Sequence, residues 1–150
     1  MVRSILFVCL GNICRSPAAE GMFRAVAPEF ETDSAATASW HSGNAPYAPV
    51  QTAMKARGVD ISGQRARQIT AADFDRFDKI IVMDADNRDV VEELRPAGNA
   101  TPVVLFTSFL NDPDLTHVPD PYYTRDFDGC LDLIEEAALA LKAALSGAAE

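Results

Sequence analysis

The sequence predicts an α/β protein, a three-layer sandwich whose central parallel sheet of about four strands, in the order 2-1-3-4, carries helices on both faces. Two short apolar runs, Ile5 to Val8 and the KIIVM segment Lys79 to Met83, are bounded by turn residues and show no alternation. That is the pattern of strands covered on both faces. Stretches with helical spacing fall between the strand candidates, as crossover connections require. The length of 150 residues, 48% hydrophobic and 23% charged, suits one packed core and hardly two, so residues 1–150 are expected to form a single domain.

Taken in order, Ile5 to Val8 is the first strand, followed at once by the turn Cys9 to Arg15. Ser16 is expected to cap a helix and Pro17 to sit in its first turn, after which Ala19, Met22, Phe23 and Val26 recur at helical spacing. Thr32 to Ala38 is a strand candidate, and Ser39 to Pro49, with Trp40, His41 and Gly43, reads as a loop. A helix from Val50 to Arg57 stops at Gly58. Thr70 is expected to cap a short helix before the strand Lys79 to Met83. A helix near Asn87 to Leu94 closes at Pro96, and Val103 to Phe106 is the last strand. A Pro- and Asp-rich stretch (NDPDLTHVPDPYY) then leads into a long C-terminal helix. Its stripe of Cys130, Ile134, Ala137, Ala138, Leu141 and Leu145 marks a core face.

The formal charge of -9 argues against an electrostatic grip on nucleic acid or anionic lipid. The acidity is uneven: residues 1–70 carry 7 bases and 5 acids, whereas residues 71–150 carry 6 bases and 17 acids. Any anion must therefore be held locally. No run of residues approaches membrane-spanning length, and the apolar start Ile5 to Leu10 is too short for a signal h-region. Three cysteines in such a chain suggest a reducing, cytoplasmic setting in which thiols serve chemistry rather than a disulfide framework.

In open α/β sheets ligands collect at the carboxyl ends of strands, which points to Cys9-Leu10-Gly11-Asn12-Ile13-Cys14-Arg15-Ser16. A tight loop that opens a helix aims backbone N–H groups inward, and with the helix dipole these make a nest for a dianion such as phosphate. Gly11 and Asn12 are the residue types that best accept positive φ there. Arg15 adds a planar fork suited to two phosphate oxygens, and as a cation at the positive end of a helix it is misplaced unless an anion is bound. Cys9 at the floor of this positive concavity is expected to act as a thiolate nucleophile on phosphorus, with Ser16 donating its hydroxyl to the sulfur and the Asn12 amide holding the loop. Cys14 is either a packing residue or a thiol that pairs reversibly with Cys9. A zinc site on Cys9 and Cys14 would have to recruit from His41, His117 and Cys130, so no metal or other cofactor is expected. A leaving oxygen needs a proton donor, for which Asp112, Asp114 and Asp120 are the candidates. Asp120 stands out only for the aromatic pair Tyr122 and Tyr123 that follows it.

The segments VCLGNICRSPAAEGMF, SAATASWHSGNAP, ARQIT and VPDPYY, in that order and spanning the chain, resemble the low-molecular-weight protein tyrosine phosphatases. The resemblance implies a metal-free hydrolase acting on protein phosphotyrosine through a phosphocysteine, with Cys9 as nucleophile, Arg15 binding phosphate and Asp120 as acid and then base. It places Leu10 to Cys14 and Ser16 in the phosphate loop, makes Cys14 the redox-protective cysteine, and puts Trp40 and Tyr122, with Tyr123, beside the phosphotyrosine ring. Implied partners are a phosphotyrosine protein, a bacterial tyrosine kinase among them, or a small aryl phosphate, met by a monomer or weak dimer. Some members act outside the cell without a leader. Two departures stand out: Ala36 replaces a common Gly after Ser34-Ala35, and Tyr47-Ala48-Pro49-Val50 replaces Asp-Pro-Arg-Ala. An arsenate reductase would need redox cysteines that Lys79 to Leu94 lacks, and a pure phosphoprotein-binding module would need neither the thiol nor the acid.

Overall fold

A computed structural model describes residues 2–148, with side chains through residue 146. Four parallel strands, β1 (Ser4–Cys9), β2 (Glu31–Ala36), β3 (Lys79–Val82) and β4 (Val103–Leu105), lie in the order β2-β1-β3-β4. Registers Cys9 with Ala36, Val8 with Val82 and Val82 with Leu105 align the carboxyl ends of all four strands. The expected sheet and its order are those observed.

Among the described residues six helices surround it: α1 (Arg15–Val26), α2 (Ala48–Ala56), α3 (Asp73–Arg76), α4 (Ala85–Glu93), α5 (Pro121–Thr124) and α6 (Phe127–Ala148). Alternation along β1 explains the two cores. Ile5, Phe7 and Cys9 point to one face, where they join Ala19, Phe23, Val50, Ile134 and Leu141 from α1, α2 and α6. Leu6 and Val8 point to the other, packing with Phe74, Phe77 and Val91 from the α3 and α4 side. β1 is buried at every position, which is why its sequence reads as an apolar run from Ile5 to Val8. On α6 the expected stripe of Cys130, Ile134, Ala137, Ala138, Leu141 and Leu145 is buried throughout.

Helix ends are where the structure departs from expectation. Ser16 is not the cap of α1: Cys14 holds that position without a side-chain bond, and Ser16 lies in the first turn with its hydroxyl facing the Cys9 sulfur. Thr70 does not cap α3 either, since the helix starts at Asp73 and Asp73 reaches back to the Thr70 N–H (2.8 Å). The expected strand at Thr32 to Ala38 is shifted to Glu31–Ala36, and Phe106 leaves β4 for a 3-10 turn, Phe106–Phe109. The stop at Gly58 is as expected. Its φ of 84° closes α2, with Gly58 N donating to Lys55 O and Val59 N to Met54 O.

Candidate active site

The carboxyl ends of β1 and β3, together with the turn that precedes α6, converge on a cleft walled by Cys9, Leu10, Gly11, Ile13, Cys14, Arg15, Trp40, His41, Asp120, Tyr122 and Tyr123. Its floor is the Cys9 sulfur, which is 2% exposed as a residue and sits inside a ring of donors. Asn12 N and Ser16 N donate to Sγ at 3.3 and 3.4 Å, and Ser16 Oγ lies at 3.0 Å. The first-turn N–H groups of α1 have no intrahelical acceptor and open onto the same loop.

Behind the sulfur, hydrogen bonds are directed by elimination. Asn12 Nδ2 donates to both Ser16 Oγ (2.8 Å) and Ser34 Oγ (2.9 Å), and its Oδ1 accepts the Arg67 N–H (3.1 Å). Ser16 Oγ, already an acceptor, turns its own proton to Cys9 Sγ or to Ala35 O (3.4 Å). The Ser34 hydroxyl donates to the buried Glu20 carboxyl group at 2.7 Å, which Arg24 also contacts. Asn12 holds the loop from a left-handed backbone, φ 57°; Gly11, contrary to expectation, does not adopt positive φ. A Cβ on Gly11 would come 3.0 Å from His41 Cδ2, so a side chain there would press on the His41 ring. Asn12 and Ser16 thus support the sulfur rather than line the cleft.

Arg15 is 3% exposed and spans the two far walls. Nη1 donates to Asp84 Oδ2 (2.8 Å) and Val118 O (3.1 Å), while Nη2 reaches Asp120 Oδ2 at 3.5 Å. Burial works against its charge, but the Cys9, Asp84 and Asp120 groups around it outweigh that and raise its pKa further above the ordinary arginine value. Each acid uses its other oxygen to cap a helix: Asp84 Oδ1 accepts from Asn87 N of α4, and Asp120 Oδ1 from Tyr122 N of α5. The caps fix both carboxylates in place.

Of the three candidate acids, only Asp120 faces Cys9 and Arg15. Asp112 lines a separate open groove, and both Asp112 and Asp114 are exposed on their loop. Trp40 and Tyr123 stand at the mouth, each 70% exposed, and Tyr122 is 42% exposed. Cys14 and Cys130 are buried with free thiols; burial pushes Cys14 far above the ordinary cysteine value, aided by Cys9, and pushes Cys130 up to about 12. No group of three or more His, Cys, Asp and Glu among the described residues is placed to hold a metal ion. Asp84, Ser34, Glu20 and Arg67 were not singled out from the sequence. Asp84 alone left a signal there, as an acid at the carboxyl end of a buried-strand run.

Residues 4–149 match the profile of the family described as low molecular weight phosphotyrosine protein phosphatase. The chain belongs to that family. It is accordingly a phosphatase of the protein-tyrosine class, with relatives that match over nearly their full length. YfkJ of Bacillus subtilis, a low molecular weight protein-tyrosine-phosphatase, is 39% identical over 148 residues, covering 95% of each chain. The crystal structure of YfkJ superposes with a TM-score of 0.93, covering 100% of this chain and 98% of that one at 37% identity. A protein tyrosine phosphatase from Entamoeba histolytica, solved with Hepes in its active site, gives 0.90 at 33% identity over 99% of both chains. Wzb of Vibrio vulnificus, solved with benzylphosphonate, gives 0.83 at 28% identity over 94% of this chain and 97% of that one. No helix among the described residues is long and apolar enough to cross a membrane.

Proposed function

We propose that this phosphatase hydrolyses phosphotyrosine in proteins, and small aryl phosphates, through a phosphocysteine formed on Cys9. The observation that carries the reading is the arrangement around one sulfur: three hydrogen-bonding groups within 3.4 Å of Sγ, under a buried arginine that also meets Asp120. Such a ring of donors around a cysteine is the setting in which it serves as a nucleophile.

Two Arg15 Nη1 donors are engaged by Asp84 and Val118 O, so Nη1 anchors the guanidinium. The Nε and Nη2 edge is left to bind two phosphoryl oxygens side by side. The long Nη2 to Asp120 contact of 3.5 Å is the one an arriving phosphate displaces. In the first step the Cys9 thiolate attacks phosphorus, the bond to the aryl oxygen breaks, and protonated Asp120 gives its proton to that oxygen. Phosphoryl charge is met by Arg15 and by loop N–H groups already oriented. In the second step Asp120 takes a proton from water as the water oxygen attacks phosphorus. The S–P bond then breaks, and the thiolate regains the Ser16 hydroxyl. Trp40, Tyr122 and Tyr123 at the mouth favour a flat ring over a short seryl side chain, and the benzylphosphonate bound to the Vibrio relative is a ligand of that shape. Cys14, buried in the same apolar cluster as Cys9, is the partner for a reversible protective disulfide. The proposed substrate is a phosphotyrosine protein, such as a bacterial tyrosine kinase.

The test is a time course on matched phosphotyrosine and phosphoserine peptides in the presence of a chelator, with Cys9→Ser alongside. Release of phosphate from the phosphotyrosine peptide alone, and none from Cys9→Ser, is expected. Equal hydrolysis of both peptides, or a fully active serine variant, would overturn the reading.

A further inference from the structure

The segment that departs most from the resembled family begins at Tyr47, and Tyr47 touches both walls of the cleft. Its backbone N–H donates to Ile13 O at 2.8 Å, which fastens it to the phosphate loop. Its ring packs on Tyr122 at a centroid distance of 5.2 Å, and its Oη accepts from Arg125 Nη1 at 2.9 Å. Arg125 ends α5 in a left-handed conformation, φ 63°, which a side chain other than Gly, Asn or Asp adopts only under constraint. The constraint is visible. The guanidinium lies over the rings of Tyr47 (5.5 Å) and Phe127 (5.2 Å) and also donates to Tyr122 O (3.4 Å).

Strain held by surrounding contacts next to a site indicates that the contacts fix something the chemistry needs. The turn from Asp120 to Arg125 carries the acid and two rim tyrosines. Besides its contacts through Tyr47, the turn meets the phosphate-loop region in the 3.5 Å approach of Asp120 to Arg15. A bound phosphate competes for that same Arg15 edge. When it arrives, the contacts through Tyr47 still tie the turn to the phosphate loop.

We propose that Tyr47 and Arg125 are positioning residues for the reaction, bracing the acid-bearing turn against the phosphate loop so that Asp120 meets the leaving oxygen. The inference rests on Asp120 as the general acid, as set out under Proposed function. It concerns proton delivery, not the nucleophile. Its signature is therefore a loss that depends on the leaving group, because a poor leaving group needs the proton and a good one needs it little.

The experiment measures kcat/KM for phenyl phosphate and for p-nitrophenyl phosphate in the wild type and in Tyr47→Ala, Tyr47→Phe, Arg125→Gly and Asp120→Ala, each checked for fold by circular dichroism. For Tyr47→Ala a loss of about tenfold on phenyl phosphate and under about threefold on p-nitrophenyl phosphate is expected, a part of the full general-acid effect. Tyr47→Phe keeps the ring and the backbone N–H but not the acceptor, and should fall between wild type and Tyr47→Ala. Arg125→Gly keeps access to the left-handed backbone and should show the same selective loss; it decides the matter if Tyr47→Ala does not fold. Equal losses on the two substrates, or none, overturn the proposal. If Asp120→Ala shows the leaving-group effect and Tyr47→Ala does not, this inference alone fails. If Asp120→Ala lacks it, the assignment of the acid fails and the brace with it.

Discussion

Replacing Asn12 by Gly and by Ala separates two things that the residue supplies. Asn12 makes three side-chain hydrogen bonds, to Ser16, Ser34 and the Arg67 N–H, and it holds a backbone at φ 57°. Asn12→Gly removes the bonds and keeps the backbone at ease. At about 1 kcal/mol for each buried neutral bond, it should destabilise the fold by about 3 kcal/mol. Asn12→Ala removes the same bonds and adds the left-handed penalty of about 1–2 kcal/mol, for a total of about 4–5 kcal/mol. Both remain within the usual 5–15 kcal/mol of a folded domain, although the alanine variant is close to its edge. Urea unfolding of the three proteins, with slopes checked for equality, reads the differences directly. Activity should fall in both variants, because the Ser16 hydroxyl that faces the Cys9 sulfur loses the Asn12 donor that holds it in place. An alanine variant as stable as the glycine variant would refute the backbone argument, and losses under about 1 kcal/mol in both would refute the network argument.

Glu20 gives a pH-dependent prediction. Burial raises its pKa, and the Ser34 and Arg24 bonds only partly oppose this. A raised folded value means that the protonated acid is the form the fold prefers. Its contribution is thus full below the ordinary glutamate value of 4.5 and is lost as pH rises through the higher folded value. The stability of the wild type relative to Glu20→Gln should fall across that window in urea midpoints, and a difference that is flat or rises with pH would contradict this. Iodoacetate, an anion, should carboxymethylate Cys9 and be blocked by phosphate. Cys14 and Cys130 are buried with thiols pushed up and should be spared in the folded protein; equal labelling of all three by mass spectrometry would count against the site's electrostatics.

The nucleophile loop could be read from sequence because it is local: strand, turn and helix come from consecutive residues, and β1, buried throughout, is apolar without a break from Ile5 to Val8. The residues that complete the site come from far along the chain. Asp84 meets Arg15 from 69 positions away and Ser34 meets Asn12 from 22, through strand neighbours that no local pattern specifies. Ser16 misled as a cap because serine suits the cap and the first turn equally. Its true position was set by the sulfur that its hydroxyl faces, a contact seven residues back. The role of Tyr47 was invisible for the same reason. Its partners, Tyr122 and Arg125, arrive only when the last turn folds over the cleft.

In the proposed mechanism the phosphoryl group passes through Cys9. In Asp120→Ala the second step loses its base, while p-nitrophenyl phosphate, with a good leaving group, still permits the first. Acid quenching of that reaction followed by peptide mass spectrometry should find a phosphoryl group on the peptide containing Cys9, approaching one per chain. Continued phosphate release with no phosphoryl group on Cys9, or with the group on another residue, would contradict the account.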